Sequence, residues 1–289
     1  MKYNLIEEQG KIIIKDIKNF DPKHIFECGQ AFRWYVEEDN SYTTIAYGKV
    51  LNVKKDGNDI ILSDTNMEDF NNIWYRYFDL ERDYNEIKKQ LSKDPILADA
   101  INFGEGLRIL NQEPFEMVIS FITSANNQIP RIKKSIELMS KNYGEKIDEK
   151  YYSFPTPQSL SKVNPEDLKE ICKVGFRGER IVETAKIIAK GELNLNSIFN
   201  LNRDEGKELL MTLPGVGPKV SDCILLFAFN KDEAFPVDVW VKRVMEYFYL
   251  KEETNVKHIG EHGARIFGSL AGFAQQYLFY YARELGIGK

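Results

Sequence analysis

Cysteine and histidine are scarce in this sequence of 289 residues, with three of each. Cys28, Cys172 and Cys223 form an odd set with no CxxC pair, so a disulfide framework, a four-thiolate zinc site and an iron–sulfur cluster are excluded. His258 and His262 are spaced i, i+4, yet no HExxH or other carboxylate motif accompanies them. The sequence therefore predicts no catalytic metal and no cofactor.

Long apolar runs are also missing. The longest, residues 223–229, is far shorter than a membrane-spanning helix. The first residues carry acids where a signal peptide needs an apolar core. We therefore expect a soluble protein of the reducing cytoplasm that does not contact a membrane.

Basic residues are not in excess, because 39 Lys and Arg stand against 44 Asp and Glu, for a net charge of −5. Residues 1–112 hold 15 basic and 20 acidic residues, whereas 113–289 hold 24 of each. Locally the balance reverses, since residues 124–141 carry four basic residues against one acidic, and 169–190 carry six against three. If the protein binds nucleic acid, the pattern predicts a local footprint, few phosphate contacts and a shallow salt dependence.

The residue patterns indicate two domains and the α+β class. Short β-branched or aromatic runs near 11–15, 42–47, 50–53 and 59–62 predict antiparallel strands, with a turn at 54–58. Helical periodicity begins near residue 67 and is continuous beyond 113. We predict an antiparallel β-rich domain with flanking helices over 1–112 and an all-helical domain over 113–289. Helices of the second domain are expected from Pro114 and near 131–143, 165–173, 178–190, 204–212, 218–229, 239–250, 257–268 and 272–285.

The segment from about 204 to 229 carries the most chemical information. A helix ends near Thr212, a tight Leu-Pro-Gly-Val-Gly turn follows, and Pro218 can occupy the first turn of the next helix. Gly215 and Gly217 allow another molecule to approach the backbone, and the unpaired N–H groups of the new helix suit a phosphate oxygen. The spacing GxxxxGK of a phosphate-binding P-loop is absent.

Lys219 and Asp238 are the candidate catalytic residues. A lysine beside the positive end of a helix can act as a nucleophilic amine. Asp238 precedes a helical pattern, so it can cap that helix and still present a carboxylate to a developing cation. From the residues alone, a solvated lysine, a plain helix cap, a core Cys223 and a structural turn remain open alternatives.

The sequence Leu213-Pro-Gly-Val-Gly-Pro-Lys219, followed by Pro236-Val-Asp238, resembles the helix–hairpin–helix and aspartate signature of base-excision DNA glycosylases. The lysine is typical of the members that also have lyase activity. Four more segments resemble the eukaryotic-type 8-oxoguanine DNA glycosylase family in order along the chain. They are GQAFRW at 29–34, SANNQIPRI at 124–132, GFR at 175–177 and AGFAQQYLF at 271–279.

The resemblance implies a mechanism that needs no cofactor. Lys219 would attack C1′ of a flipped nucleotide while Asp238 stabilises the positive sugar, and the resulting Schiff base would permit β-elimination at the 3′ phosphate. A structural cation, if one binds, would be held by the backbone carbonyls of Met211, Leu213 and Val216.

The resemblance also implies a base pocket. The Gly29 carbonyl would accept the N7–H that only the oxidised base carries, Gln275 would bond its Watson–Crick edge, and the base would lie between Phe279 and Cys223. Pro236 and Phe227 would line the same pocket.

The implied partner is duplex DNA containing 8-oxoguanine, bound by a monomer. Asn126 would fill the vacated stack, with Arg131 and Arg177 at the edge of the orphaned cytosine and Phe176 as a wedge. Departures from the family include Trp240 in place of the usual His, Phe176 in place of Tyr and Phe227 in place of a Met. Further DNA contacts are expected at Gly215, Gly217, Val220 and Trp240.

Two other functions stay open. One is a monofunctional glycosylase for alkylated bases on the same scaffold, against which Lys219 argues. The other is a non-catalytic helix–hairpin–helix DNA-binding module, in which Lys219 would have no chemical role.

Overall fold

A six-stranded antiparallel sheet forms the first part of the fold in a computed structural model that describes residues 3–287. The sheet order is β1-β2-β6-β5-β4-β3, so each strand pairs with an antiparallel neighbour. The predicted α+β class is confirmed. The strands are β1 Asn4–Glu8, β2 Lys11–Lys15, β3 Trp34–Val36, β4 Tyr42–Ala46, β5 Lys49–Asp56 and β6 Asp59–Ser63.

The four strands predicted from the sequence are present, and two more join them. β2 and β6 were recognisable because alternate apolar residues, such as Ile12 and Ile14, are buried on one face. β5 and β6 extend further than predicted, because Asp56 pairs with Asp59 and the turn is confined to residues 57–58. β1 was missed since most of its residues are exposed, and β3 since it has only three residues.

The helices follow the predicted pattern closely beyond residue 113. α13 passes without a break into a π-helical turn, Met245–Leu250. The helices are α1 Pro22–Glu27, α2 Met67–Asp69, α3 Tyr75–Tyr77, α4 Tyr84–Leu91, α5 Pro95–Phe103, α6 Pro114–Ser124, α7 Ile129–Tyr143, α8 Pro157–Leu160, α9 Pro165–Cys172, α10 Gly178–Ala189, α11 Arg203–Met211, α12 Pro218–Phe229, α13 Val239–Val244, α14 Val256–Phe267 and α15 Ala271–Leu285.

Two hydrophobic cores lie side by side. One is built on the sheet and contains Phe70 and Trp74, while the other is helical. α4 and α5 precede residue 112, yet their apolar residues Tyr84 and Leu97 belong to the helical core, where α5 packs on α15. The division at 112/113 stays a prediction, and residues 1–2 and 288–289 of the predicted domains lie outside the described residues.

The two helices of the hairpin are fixed to each other. A capping box at Asn202 and Glu205 starts α11, as the polar N-terminus of that helix requires. Lys207 on α11 pairs with the buried Asp222 on α12 at 2.6 Å. Across residues 3–287, none of the helices combines the length and the apolar character that a membrane crossing requires.

Candidate active site

The hairpin turn presents open backbone amides at the start of α12. Gly217 is the N-cap and offers no side-chain acceptor, and Pro218 opens the helix. Gly215 has φ +87°, and a Cβ placed on it would lie 3.1 Å from both Arg180 Cδ and Ile122 Cγ2. A side chain there would push the turn out of its seat between α6 and α10. Val220 is the third residue of α12, where backbone N–H groups lack a partner within the helix, and its side chain is buried.

Lys219 is half-buried in the first turn of α12, and its Nζ lies 5.3 Å from the centre of the Phe121 ring. Cys223 follows one turn later and is buried. Burial raises the pKa of the Cys223 thiol to about 11, and the charge and a hydrogen bond of Lys219 act in the opposite direction. The structure therefore places amine and thiol side by side, with the thiol protonated at neutral pH.

Asp238 caps α13 with a single carboxylate oxygen. Its Oδ1 accepts hydrogen bonds from the amides of Trp240 at 3.0 Å and Val241 at 2.8 Å. Burial raises the pKa of Asp238, against the pull of these bonds and of the Lys219 charge. The Oδ2 atom takes no part in the cap.

A second group of predicted residues meets at α15. Gly29 has φ +83°, and a Cβ placed on it would lie 2.9 Å from Phe279 Cε1. The chain thus approaches the ring more closely than any other residue type permits. Gln275 lies one turn before Phe279 and is 4% exposed. Its Oε1 is a buried acceptor without a hydrogen-bond partner within residues 3–287.

The remaining predicted pocket residues are buried behind these groups. Pro236 lies two residues before Asp238 and sets the approach of the chain to α13. The Phe227 ring stacks on Phe121 at 5.6 Å, with 16° between the planes. Phe121 in turn lies against Lys219, so the aromatic pair forms an apolar wall next to the amine.

The predicted DNA-facing residues lie on two loops that contact each other. Asn126 is exposed and has φ +51°, and Arg131 is exposed in the first turn of α7. Phe176 is 61% exposed and sits under the Arg177 guanidinium, 4.4 Å from the ring centre. Arg177 itself is buried, and its donors go to backbone carbonyls, including that of Asn126 at 3.0 Å.

Trp240 lies beside Asp238 at the start of α13, half-buried, with Arg243 5.2 Å from the centre of its ring. A phosphate contact is predicted for this indole, and the positively charged Arg243 lies next to it.

Two arginines of this region were not predicted from the sequence. Arg180 lies 5.6 Å from the Phe176 ring, and Arg283 lies 5.2 Å from the Phe279 ring. Each follows its aromatic residue by four positions. An i, i+4 search around the predicted aromatic residues would have found both.

The predicted cation site fits the chemistry of its ligands. The carbonyl oxygens of Met211, Leu213 and Val216 are hard, neutral ligands, which suit a monovalent or other hard cation rather than a metal that prefers thiolate or imidazole ligands. The Leu213 carbonyl accepts the Val216 amide at 3.1 Å, which leaves its second lone pair free. Among the described residues no three His, Cys, Asp or Glu side chains gather as metal ligands. The cation site stays a prediction.

Comparison with known families decides the class of protein. The N-terminal domain of 8-oxoguanine DNA glycosylase matches residues 12–118, and the helix–hairpin–helix Gly/Pro-Asp superfamily of base excision DNA repair proteins matches residues 119–267. This chain belongs to the 8-oxoguanine DNA glycosylase/lyase family. The two family matches meet within α6, close to the predicted domain boundary.

Relatives within the 8-oxoguanine glycosylase family cover most of the chain. The probable N-glycosylase/DNA lyase of Methanothermobacter thermautotrophicus is 36% identical in a match that covers 73% of this chain and 74% of the relative's length. The N-glycosylase/DNA lyase of Saccharomyces cerevisiae is 31% identical in a match that covers 91% of this chain and 83% of the relative's length. The structure of Clostridium acetobutylicum 8-oxoguanine glycosylase/lyase, with DNA containing cytosine opposite 8-oxoG, matches with a TM-score of 0.97 and 48% identity. That match covers 99% of this chain and 100% of the other.

Proposed function

We propose that this protein excises 8-oxoguanine from duplex DNA and then cleaves the strand at the resulting abasic site. The observation that carries the proposal is the position of Lys219 in the first turn of α12, where its charge acts on both the Cys223 thiol and the Asp238 carboxyl group. A non-catalytic hairpin needs no amine close enough to act on both groups. Family membership gives the same direction independently.

The first step is displacement of the base by the Lys219 amine. The Nζ lone pair forms a bond to C1′ as the C1′–N9 bond breaks, and the base leaves with the bonding electrons and takes the proton that the amine loses. Positive charge develops on the sugar in this step. The Asp238 carboxylate is in place before the reaction, so its stabilisation of that charge needs little reorganisation.

The second step is strand cleavage. In ring opening the nitrogen lone pair of Lys219 forms an imine with C1′ as the C1′–O4′ bond breaks, and O4′ takes up the proton that the nitrogen loses. Transfer of a proton from C2′ to solvent water then expels the 3′ phosphate as the C3′–O3′ bond breaks. No external oxidant or reductant enters, because elimination only redistributes electrons within the sugar.

Lesion recognition is assigned to the Gly29, Gln275 and Phe279 group. Phe279 supplies a stacking face, Gln275 a buried amide for the Watson–Crick edge, and Gly29 a backbone carbonyl for N7–H. Undamaged guanine has a lone pair at N7, which would leave that carbonyl facing another acceptor. We place the reaction with the DNA, which for a prokaryotic cell is in the cytoplasm, and we expect the protein to act as a monomer.

Flipping the base leaves a gap in the duplex, which we assign to the exposed Asn126, with Arg131 beside it and Phe176 as the wedge. Extrusion costs a few kcal/mol of stacking and pairing, so groups that fill the gap lower the cost of the open state. Arg177 supports this loop from below through its bonds to the backbone. Phosphate contacts are assigned to the amides near Gly215, Gly217, Val220 and Trp240.

Borohydride trapping on a duplex with 8-oxoguanine opposite cytosine tests the proposal. The wild type should form a covalent adduct, and Lys219→Gln, which keeps the length of the side chain, should form none. Lys257→Gln, at an exposed position on α14, is the matched control and should trap like the wild type.

Each alternative function gives a different result. A monofunctional alkyl-base glycosylase would release 3-methyladenine without any adduct. A non-catalytic module would bind the duplex equally before and after Lys219→Gln and release no base. An adduct undiminished in Lys219→Gln would show that another amine is the nucleophile.

A further inference from the structure

Arg283 lies at the edge of the base pocket, on the same face of α15 as Gln275 and Phe279. Its side chain is 16% exposed, and its Cζ lies 5.2 Å from the centre of the Phe279 ring. One turn apart along this face lie the buried amide of Gln275, the half-buried ring of Phe279 and the guanidinium of Arg283. No role in the reaction outlined above falls to this cation.

The Arg283 guanidinium is tied to the chain segment that leads into Gly29. Its Nη2 donates a hydrogen bond to the Glu27 carbonyl, and its Nη1 lies 3.0 Å from the position a Cβ on Gly29 would take. Nε and Nη2 also contact Glu284 Oε1 at 2.9 and 2.7 Å. The planar group is thus oriented from two sides, with its remaining surface against Gly29 and Phe279.

A second side chain of α15 holds the same segment. Gln276 Nε2 donates to the Cys28 carbonyl at 2.8 Å, and this bond is buried. The carbonyls of Glu27 and Cys28 are therefore both bound by α15, one residue after the other. The next carbonyl, that of Gly29, accepts no hydrogen bond from any residue between 3 and 287. At the pocket it shares this property with Gln275 Oε1 among the described residues.

We propose that Arg283 is a positioning residue for lesion recognition, holding the Gly29 carbonyl at a fixed distance from the Phe279 ring. This inference rests on the proposed function. Discrimination between 8-oxoguanine and guanine depends on one hydrogen bond from N7–H, and such a bond is lost when its acceptor shifts by a fraction of an ångström. Without Arg283, the carbonyls on either side of Gly29 would still be bound by Gln276 and Gln112, but no side chain would hold the Glu27 carbonyl or pack between Gly29 and the Phe279 ring.

The charge of Arg283 has to be separated from its geometry, because that charge also lowers the pKa of Asp238. Arg283→Met keeps an apolar side chain of similar reach and removes both the donors and the charge. Arg283→Lys keeps the charge but cannot contact Glu27, Glu284 and the ring at once. Arg265→Met, at an exposed position on α14, is the control for loss of one arginine.

The test compares two single-turnover reactions of the full-length protein. One is excision of 8-oxoguanine opposite cytosine, and the other is cleavage at a preformed abasic site, which requires Lys219, Asp238 and a folded hairpin but no base. We expect Arg283→Met to slow excision by about 10- to 100-fold and to change abasic-site cleavage by less than about twofold. Arg283→Lys should recover less than half of the lost excision rate, and Arg265→Met should match the wild type.

A binding measurement gives a second readout. In a Lys219→Gln background the duplex stays intact, so binding can be measured without cleavage. The specificity is then the Kd for undamaged DNA divided by the Kd for DNA that contains 8-oxoguanine. Arg283→Met should lower this ratio, mainly by raising the Kd for the DNA that contains the lesion.

Other outcomes would overturn the inference. Equal losses in excision and abasic-site cleavage would place Arg283 in the chemistry or in phosphate binding. Full recovery by Arg283→Lys would show that the charge alone matters. If the wild type excises 8-oxoguanine and Arg283→Met does so at the same rate, the role of Arg283 is wrong but the proposed function stands. If the wild type itself does not excise 8-oxoguanine, the proposed function is wrong.

Discussion

The Arg177 guanidinium donates a hydrogen bond to the Asn126 carbonyl, with its Nη2 3.0 Å from that oxygen. Its Nε also donates to the Ala125 carbonyl at 2.9 Å. One buried side chain therefore holds the backbone on which Asn126 adopts φ +51°. Arg177 binds the loop from its buried side in this conformation, and the exposed groups that we propose to meet the opposite strand are those of Asn126, Arg131 and Phe176.

We predict that Arg177→Lys slows excision by about tenfold, because an ammonium cannot reproduce the planar fork by which the guanidinium binds the Ala125, Asn126 and Val174 carbonyls. Single-turnover excision measures the rate, and 2-aminopurine next to the lesion reports base unstacking. The unstacking signal should weaken with the rate. An unchanged signal with altered preference for the opposite base would instead show that Arg177 reads the orphaned base directly.

The side chain of Gln275 should destabilise the protein in the absence of DNA. Its buried Oε1 has no partner within the described residues, and an unsatisfied buried acceptor costs about 1–3 kcal/mol. We predict that Gln275→Met raises the Tm of the free protein by about 2–4 °C per kcal/mol recovered, while it lowers the rate of 8-oxoguanine excision. Thermal unfolding and single-turnover kinetics on the same preparation test both parts. A lower Tm would show that the amide is already satisfied in the free protein.

Local sequence patterns were sufficient for the hairpin but not for the pocket. The apolar periodicity of α12 and the Gly-Pro turn before it are confined to a few consecutive residues, and both were predicted correctly. Lys219 and Asp238 could be named for the same reason, since a helix start is a local feature. Gly29 and Phe279 lie at opposite ends of the chain, so only the family resemblance could assign them to one pocket, and the contact of Arg283 with this pair was missed.

The missed elements have equally physical causes. β1 lies at the sheet edge with its residues mostly exposed, so no alternation of buried and exposed side chains marks it. The helices α4 and α5 join the helical core although they lie within the predicted first domain, because packing is decided by the apolar face that α15 offers.

Asp238 has two separable roles. Asp238→Asn keeps an oxygen that can accept the Trp240 and Val241 amides, whereas Asp238→Ala removes the cap and should cost about 1 kcal/mol of stability. We predict that Asp238→Asn leaves DNA binding intact but slows excision by about 10²- to 10³-fold. In the wild type, burial raises the pKa of Asp238, so excision should fall on acidification at a higher pH than an exposed aspartate would give. Normal single-turnover chemistry with lost binding would indicate a purely structural cap.

Gly29→Ala should close the pocket. The residue has φ +83°, which disfavours alanine, and the new Cβ would lie 2.9 Å from Phe279 Cε1. We predict loss of at least about tenfold in 8-oxoguanine excision, with cleavage of preformed abasic sites preserved. Excision at the wild-type rate would mean that the ring and Arg283 move aside freely, and that the flipped base does not need the observed spacing.

Glu116 links the sheet to the helical part through a buried ion pair. Arg33 Nη1 lies 3.3 Å from Glu116 Oε2, and both side chains are almost fully buried. Burial raises the pKa of Glu116 to about 7, even though Arg33 opposes the change. Glu113, nearby at the start of α6, also has a pKa raised by burial and accepts the Tyr47 amide at 2.7 Å.

The contribution of Glu116 to the free energy of unfolding should therefore fall as the pH rises from about 4.5 to about 7. In that range the folded state binds more protons than the unfolded state, because the carboxyl releases its proton earlier once it is exposed. Glu116→Gln keeps an acceptor for Arg33 and cannot ionise. We predict that the Tm of the wild type, measured relative to this variant, declines between pH 5 and pH 8 by about 2–4 °C for each kcal/mol involved. Glu113 remains in both proteins, so some decline should persist in the variant. Parallel Tm curves for the two proteins would show that Glu116 is ionised throughout and that Arg33 fully compensates its burial.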